Sequence, residues 1–191
     1  MSSMSNYRID GGYSHPGFAN GAVSGMVELA DPSILVTDAS LSTAEDIIAV
    51  VESFWEATAP YYPPFVVIAK DIDERALGDL VGMHMRGLPL YVVKAPGYGG
   101  RCKETLIDVA TVIGGFVFPE KPGAERGRIA PGEIGRAKVV RMSAESTWIY
   151  GGDGTDRAVK ERMVAIKREI ETASSSFERE ELQERLLALV G

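Results

Sequence analysis

Phe65–Gly87 reads FVVIAKDIDERALGDLVGMHMRG, an apolar strand running through an acidic turn into a helix. Phe65, Val66, Val67, Ile68 and Ala69 form an unbroken run rich in β-branched residues, the pattern of a strand covered on both faces. Asp73 stands where an N-cap belongs, and Gly87 where a helix stops. At about 100° per residue, Ala76, Leu77, Leu80, Val81, Met83, His84 and Met85 spread over roughly 200° of that helix, about twice what one core-facing stripe needs.

The preceding helix, Thr43–Thr58, has the same surplus. Ser42 with Glu45 three residues later is a capping-box signature. Ile47, Ile48, Val50, Val51, Phe54 and Trp55 then occupy roughly 160° of its circumference. Two consecutive helices with spare apolar surface imply either a second covering layer or a groove for apolar segments of other chains.

Outward from this pair the chain alternates strand and helix. Strands are expected at Ile34–Thr37, Phe65–Ala69, Leu90–Lys94 and Phe116–Phe118, with a third helix at Arg101–Ile113. That order implies an α/β fold, a mostly parallel sheet flanked by helices with right-handed crossovers. Lys138–Met142 and Thr147–Tyr150 read as a β-hairpin. Two C-terminal helices follow, Thr155–Ala173 and Phe177–Val190, the second opened by a Ser175/Glu178 capping box. Ala22–Leu29 is a candidate strand, residues 1–9 are expected to be a flexible N-terminal segment, and Pro119–Glu133 is expected to be an exposed loop.

Composition narrows the function. The chain has 191 residues and a formal net charge of −7, with 45% hydrophobic and 25% charged residues. It is ordinary for a globular domain and lacks the basic face of a nucleic-acid binder. No apolar run approaches the roughly 20 residues of a membrane span, and Met1–Ile9 lacks the apolar core of a signal peptide. A cytosolic protein is expected, with its one cysteine, Cys102, a small buried hydrophobe.

The chemistry-bearing motifs are weak. Ala95–Gly100 (APGYGG) sits between strand and helix but lacks GxGxxG and GK[ST], so it reads as a tight turn before it reads as a phosphate loop. Asp71 and Asp73 lie near a strand C-terminus, where open parallel sheets place ligands, but two carboxylates without further ligands make a poor metal site. His15, His84 and Cys102 have no metal spacing, and no catalytic triad can be assembled.

Four segments, Asp10–Phe18 (DGGYSHPGF), Val67–Asp73 (VIAKDID), Val93–Gly99 (VKAPGYG) and Glu178–Leu189 (EREELQERLLAL), resemble in order and spacing the apical domain of Group I, GroEL-type chaperonins. The resemblance covers 10–191 as one apical domain of a divergent member. It implies that fold, with two parallel helices that bind unfolded polypeptide clients and the mobile loop of a GroES-type co-chaperonin, within a ring oligomer of the full-length parent. Carried over by motif, the polypeptide-binding residues are Leu77, Val81, Gly82 and Met83 on the second helix. Tyr13 and Phe18 come from the aromatic segment, and Val51 and Phe54, or one register on Trp55, from the first helix. Gly17 replaces the family's usual aromatic, Gly82 a branched apolar residue and Met83 a polar Asn.

The resemblance also implies that the equatorial and intermediate domains are absent. ATP and magnesium belong to the former, leaving this chain with no cofactor and no catalysis of its own. Gly152–Thr155 (GDGT) is similar to the equatorial phosphate motif but falls in the apical hairpin, so ATP binding is not carried over. The reading from another class is a doubly wound enzyme or small-molecule binder with its site at strand C-termini near Thr37, Asp71 and Ala95.

Overall fold

In a computed structural model that describes residues 5–97, 99–118 and 129–190, three parallel strands carry buried side chains on both faces of the sheet. These are β3 (Ser33–Leu41), β4 (Phe65–Ile72) and β5 (Leu90–Lys94), paired in parallel with Ile34 opposite Val66 and Val66 opposite Tyr91. Alternation divides their side chains between two cores. Ile34, Val36, Val66, Ile68 and Val93 point into one, and Leu35, Phe65, Val67, Ala69, Leu90 and Val92 into the other.

The first core is the larger. Its outer layer holds α3 (Gly100–Ile113), α4 (Asp156–Thr172) and α5 (Ser176–Val190), with β1 (Ser5–Ile9), β2 (Val27–Ala30), β7 (Gly135–Met142) and β8 (Thr147–Gly152). Cys102, 1% exposed, packs here with Leu106, Val109 and Ile113. A buried ionic cluster joins the three helices. Asp108, 0% exposed, accepts from Arg162 Nε at 2.6 Å and from Arg185 Nε at 2.8 Å, while Glu104 accepts from Nη2 of both arginines.

The second core is closed by α1 (Glu45–Thr58) and α2 (Glu74–Met85). α1 joins β3 to β4 and α2 joins β4 to β5, so right-handed crossovers between adjacent parallel strands set the two helices side by side on one face. The backbone N–H of Asp73 donates to Leu41 O at 2.9 Å, tying the start of α2 to the residue that leads into α1.

The sheet is mixed, not mostly parallel. Its order is β1-β8-β7-β3-β4-β5, with β2 on β7 and β6 (Val117–Phe118) parallel to β3. β7 pairs antiparallel with β8, β2 and β3, so the expected hairpin is the middle of a second, antiparallel half. Residues 1–9 are likewise not a flexible lead from Ser5 onward: β1 pairs with β8 and buries Tyr7 and Ile9. Ser5, Tyr7 and Ile9 face inward while Arg8 faces out, the alternation of a half-buried strand. The candidate strand at Ala22–Leu29 narrows to β2, since Val23–Gly25 is a 3-10 turn.

Capping differs in detail from the sequence pattern. At α1 the carboxylate of Asp46, one residue beyond Glu45, accepts from the N–H groups of Ser42 and Thr43. Asp73 occupies the N-cap of α2 without a side-chain bond, and Gly87 terminates that helix at φ +104°. Thr155 caps α4 through Ala158 N, and Ser175 Oγ accepts from Glu178 N at α5. Residues 119–128 of the expected exposed loop, and Tyr98 of the APGYGG turn, lie outside the described residues.

Candidate apolar docking surface

The side chains of α1 and α2 sort by depth. Val51 is 0% exposed, and Phe54 and Trp55 lie almost as deep. Phe54 meets Phe65 edge-on with centroids 5.4 Å apart. The indole of Trp55 turns inward, its Nε1 donating to Pro63 O at 3.0 Å, with Tyr62 and Phe65 edge-on to the ring. The long connection Ala57–Pro64 thus folds back over the end of α1 and covers Trp55. Val51, Phe54 and Trp55, expected at the binding surface, are placed in the second core instead.

On α2, Val81 is 6% exposed because the 3-10 turn Pro16–Ala19 rests on it. Gly17 makes this approach possible: a Cβ there would lie 2.5 Å from Val81 Cγ1. His15 Nδ1 accepts from the N–H of Gly17 and holds the turn. Phe18, 1% exposed, enters the second core edge-on to His84, 5.4 Å between centroids, and His84 in turn meets Tyr91 at 4.8 Å. With no side chain at Gly17 the turn lies close against α2, and Val81 and Phe18 are buried.

A shallower set remains. Leu77 and Met83 of α2, with Ile48 of α1, Ile72 at the end of β4 and Leu88 after α2, are half-buried and pack against the second core from its edge. Met85 is 61% exposed. Gly82 leaves bare helix surface, its nearest neighbour for a Cβ being Arg86 Nη1 at 3.5 Å, and Gly78 meets nothing within 4 Å. Tyr13 is half-buried and touches both cores, its N–H bonded to Ser143 O at 3.0 Å. Leu77, Gly82, Met83 and Tyr13 therefore keep accessible surface. Ile48 belonged to the surplus arc of the first helix, whereas the accessibility of Ile72 and Leu88 depends on where strand and helix end in space.

The groups proposed for small-molecule chemistry are engaged internally. Thr37, 0% exposed, donates from its hydroxyl to Phe118 O and accepts from Ala39 N. Asp71 binds Lys94 Nζ at 2.6 Å, and that hydrogen bond holds its carboxyl below the usual range. Ala95 is buried. Burial pushes the Cys102 thiol up, away from the reactive thiolate. In the GDGT turn the N–H groups of Asp153 and Gly154 donate to Arg136 O and Val112 O, and a Cβ on Gly154 would strike Thr111 O at 2.0 Å. That turn is packed against α3 and presents neither donor to a phosphate.

No protein-family model matches the chain. It is 41% identical over 186 residues to Chaperonin GroEL 1 of Protochlamydia amoebophila (strain UWE25), across 96% of this chain and 33% of that protein. Over nearly its whole length the chain is similar to part of a GroEL-type chaperonin. It spans a third of the length of the curated GroEL protein it matches, and at that coverage the relationship takes in both helices that close the second core. Among the described residues, no helix is long and apolar enough to cross a membrane.

Proposed function

We propose that this chain is the apical, polypeptide-capturing part of a chaperonin, and that it binds apolar segments of unfolded chains along α1 and α2 without chemistry of its own. The observation that carries the reading is the half-buried apolar fringe formed by Ile48, Leu77 and Met83 on two adjacent helices. Its relationship to a chaperonin supports the same reading. Tyr13 and the bare helix surface at Gly82 belong to the same region, while Val51, Phe54, Trp55, Val81 and Phe18 set its shape from below.

Affinity per domain is modest. Covering about 300 Å² of apolar surface is worth roughly 7 kcal/mol at about 25 cal/mol per Å², most of which is consumed by ordering the client. A ring of such domains in a full-length parent restores strength by avidity. ATP and magnesium would act in the parent's other domains, and a GroES-type co-chaperonin would compete with clients for the same fringe. The parent works in the cytoplasm.

The test is binding of an apolar reporter dye and of a chemically unfolded client to the intact chain. Leu77→Asp and Ile48→Asp should each weaken both at least fivefold while leaving the circular dichroism spectrum and melting temperature near the parent values. Unchanged binding in both variants refutes the reading.

A further inference from the structure

The same two helices have an uneven charge that their own stability does not explain. Segment 43–58 carries Glu45, Asp46, Glu52 and Glu56 and no basic residue. Segment 73–87 adds Asp73, Glu74 and Asp79 against Arg75 and Arg86. Together they hold five of the chain's seven excess negative charges.

Carboxylates in the first turn of a helix complement its dipole, which accounts for Glu45, Asp46 and Glu74. It does not account for Glu52 or Glu56. Glu56 sits in the last turn of α1, where the dipole disfavours a carboxylate and no basic side chain offsets it. Both are exposed, and neither forms an ion pair among the described residues. A local cost without local compensation is what a functional surface leaves behind.

Position ties these acids to the apolar fringe. Glu45 and Glu52 stand three before and four after Ile48, and so flank it on the helix surface. Asp73 and Glu74 stand four and three before Leu77, on its N-terminal side. The hydrogen bond from Asp73 N to Leu41 O ties the N-cap of α2 to the end of β3, four residues before α1 begins, so both helices start at the same edge of the sheet. Of the α2 cations, Arg75 stands two positions from Leu77 and so on another face, and Arg86 lies beside Gly82 at the opposite end of the helix from Asp73 and Glu74.

We propose that the preferred occupant of this surface is a cationic amphipathic segment, with apolar side chains laid on Ile48 and Leu77 and Lys or Arg side chains reaching the Glu52 and Glu56 carboxylates and the acids of the two first turns. The proposal rests on the polypeptide-capture reading and narrows it to a chemical class of client. The pairs are solvent-exposed, so they select among apolar segments and leave the apolar contact as the source of binding.

The experiment uses three labelled peptides with one shared apolar sequence, flanked by Lys, Ser or Glu, titrated with the intact chain by fluorescence anisotropy. At about 25 mM salt the Lys peptide should bind at least fivefold more tightly than the Glu peptide, with Ser between. At about 500 mM salt the spread should fall below about twofold. In the Glu52→Gln/Glu56→Gln variant the advantage of Lys over Ser should shrink to less than half its original factor. Equal binding of the three peptides at low salt, or an undiminished advantage in the variant, overturns the proposal and leaves capture standing. If none of the three binds at either salt, capture itself fails, and the proposal with it.

Discussion

Replacing Asp108 with Asn tests what holds the helical layer on the first core. The carboxylate is 0% exposed and faces two guanidinium groups, Arg162 Nε at 2.6 Å and Arg185 Nε at 2.8 Å, with Arg185 Nη2 at 3.1 Å. The arginine side chains are themselves only 15% exposed, so solvent does little to replace the lost charge. Asn keeps the shape and one acceptor but leaves two buried cations sharing Glu104, whose side chain is 38% exposed. Removing one partner of a buried pair costs about 3–5 kcal/mol, and the surviving Glu104 contacts favour the lower end, about 3 kcal/mol. For a chain of this length that is a fall of roughly 6–12 °C in melting temperature. Urea unfolding should show the midpoint shifting with an unchanged slope, since the surface exposed on unfolding is the same. A double-mutant cycle with Arg162→Met should return a coupling of about 0.5–3 kcal/mol. A loss below 1 kcal/mol for Asp108→Asn would refute the claim that this cluster secures α4 and α5 to α3.

Three further outcomes are expected. Gly17→Ala places a methyl 2.5 Å from Val81 Cγ1, and should destabilise by about 1–3 kcal/mol in thermal melts while raising dye binding as the turn lifts from Val81. Gly82→Ala enters open helix surface and should stabilise by about 0.5–1 kcal/mol; equal or lower stability would place Gly82 against something unseen. At Glu104, burial works to raise the pKa, but the hydrogen bonds and charges of Arg162 and Arg185 prevail and leave it lowered. Its stabilisation is therefore complete above the ordinary carboxylate range and fades as pH drops through the depressed folded-state value. Glu104→Gln should flatten the acid limb of a melting-temperature profile taken from pH 7 to pH 3.

Much of the parallel half was readable because Phe65–Ala69 and Leu90–Lys94 are continuous apolar runs between amphipathic helices, a pattern with few alternatives. The antiparallel half was harder to see. β1 is short and sits beside a Ser- and Met-rich terminus, although Tyr7, Arg8 and Ile9 already alternate. Periodicity located the apolar arcs on α1 and α2 but cannot say which part of an arc is covered, and on α1 all of it except half-buried Ile48 is buried. Trp55 is covered by Pro63, eight residues on, and Val81 by Gly17, 64 residues back. Neither contact leaves a local signal. Gly17 carries an indirect one, since a residue without a side chain lets a neighbour approach closely.

The sheet's two faces have separate tasks. Ile48 and Leu77 fringe the core on one side, and the Asp108 cluster locks the helices on the other. On the proposed reading, substitutions at Ile48 and Leu77 that retune client preference fall on half-buried residues at the edge of one core, on the opposite side of the sheet from the Asp108 cluster. On that reading, binding preference at the fringe can be changed while the ionic lock on the far face is left intact.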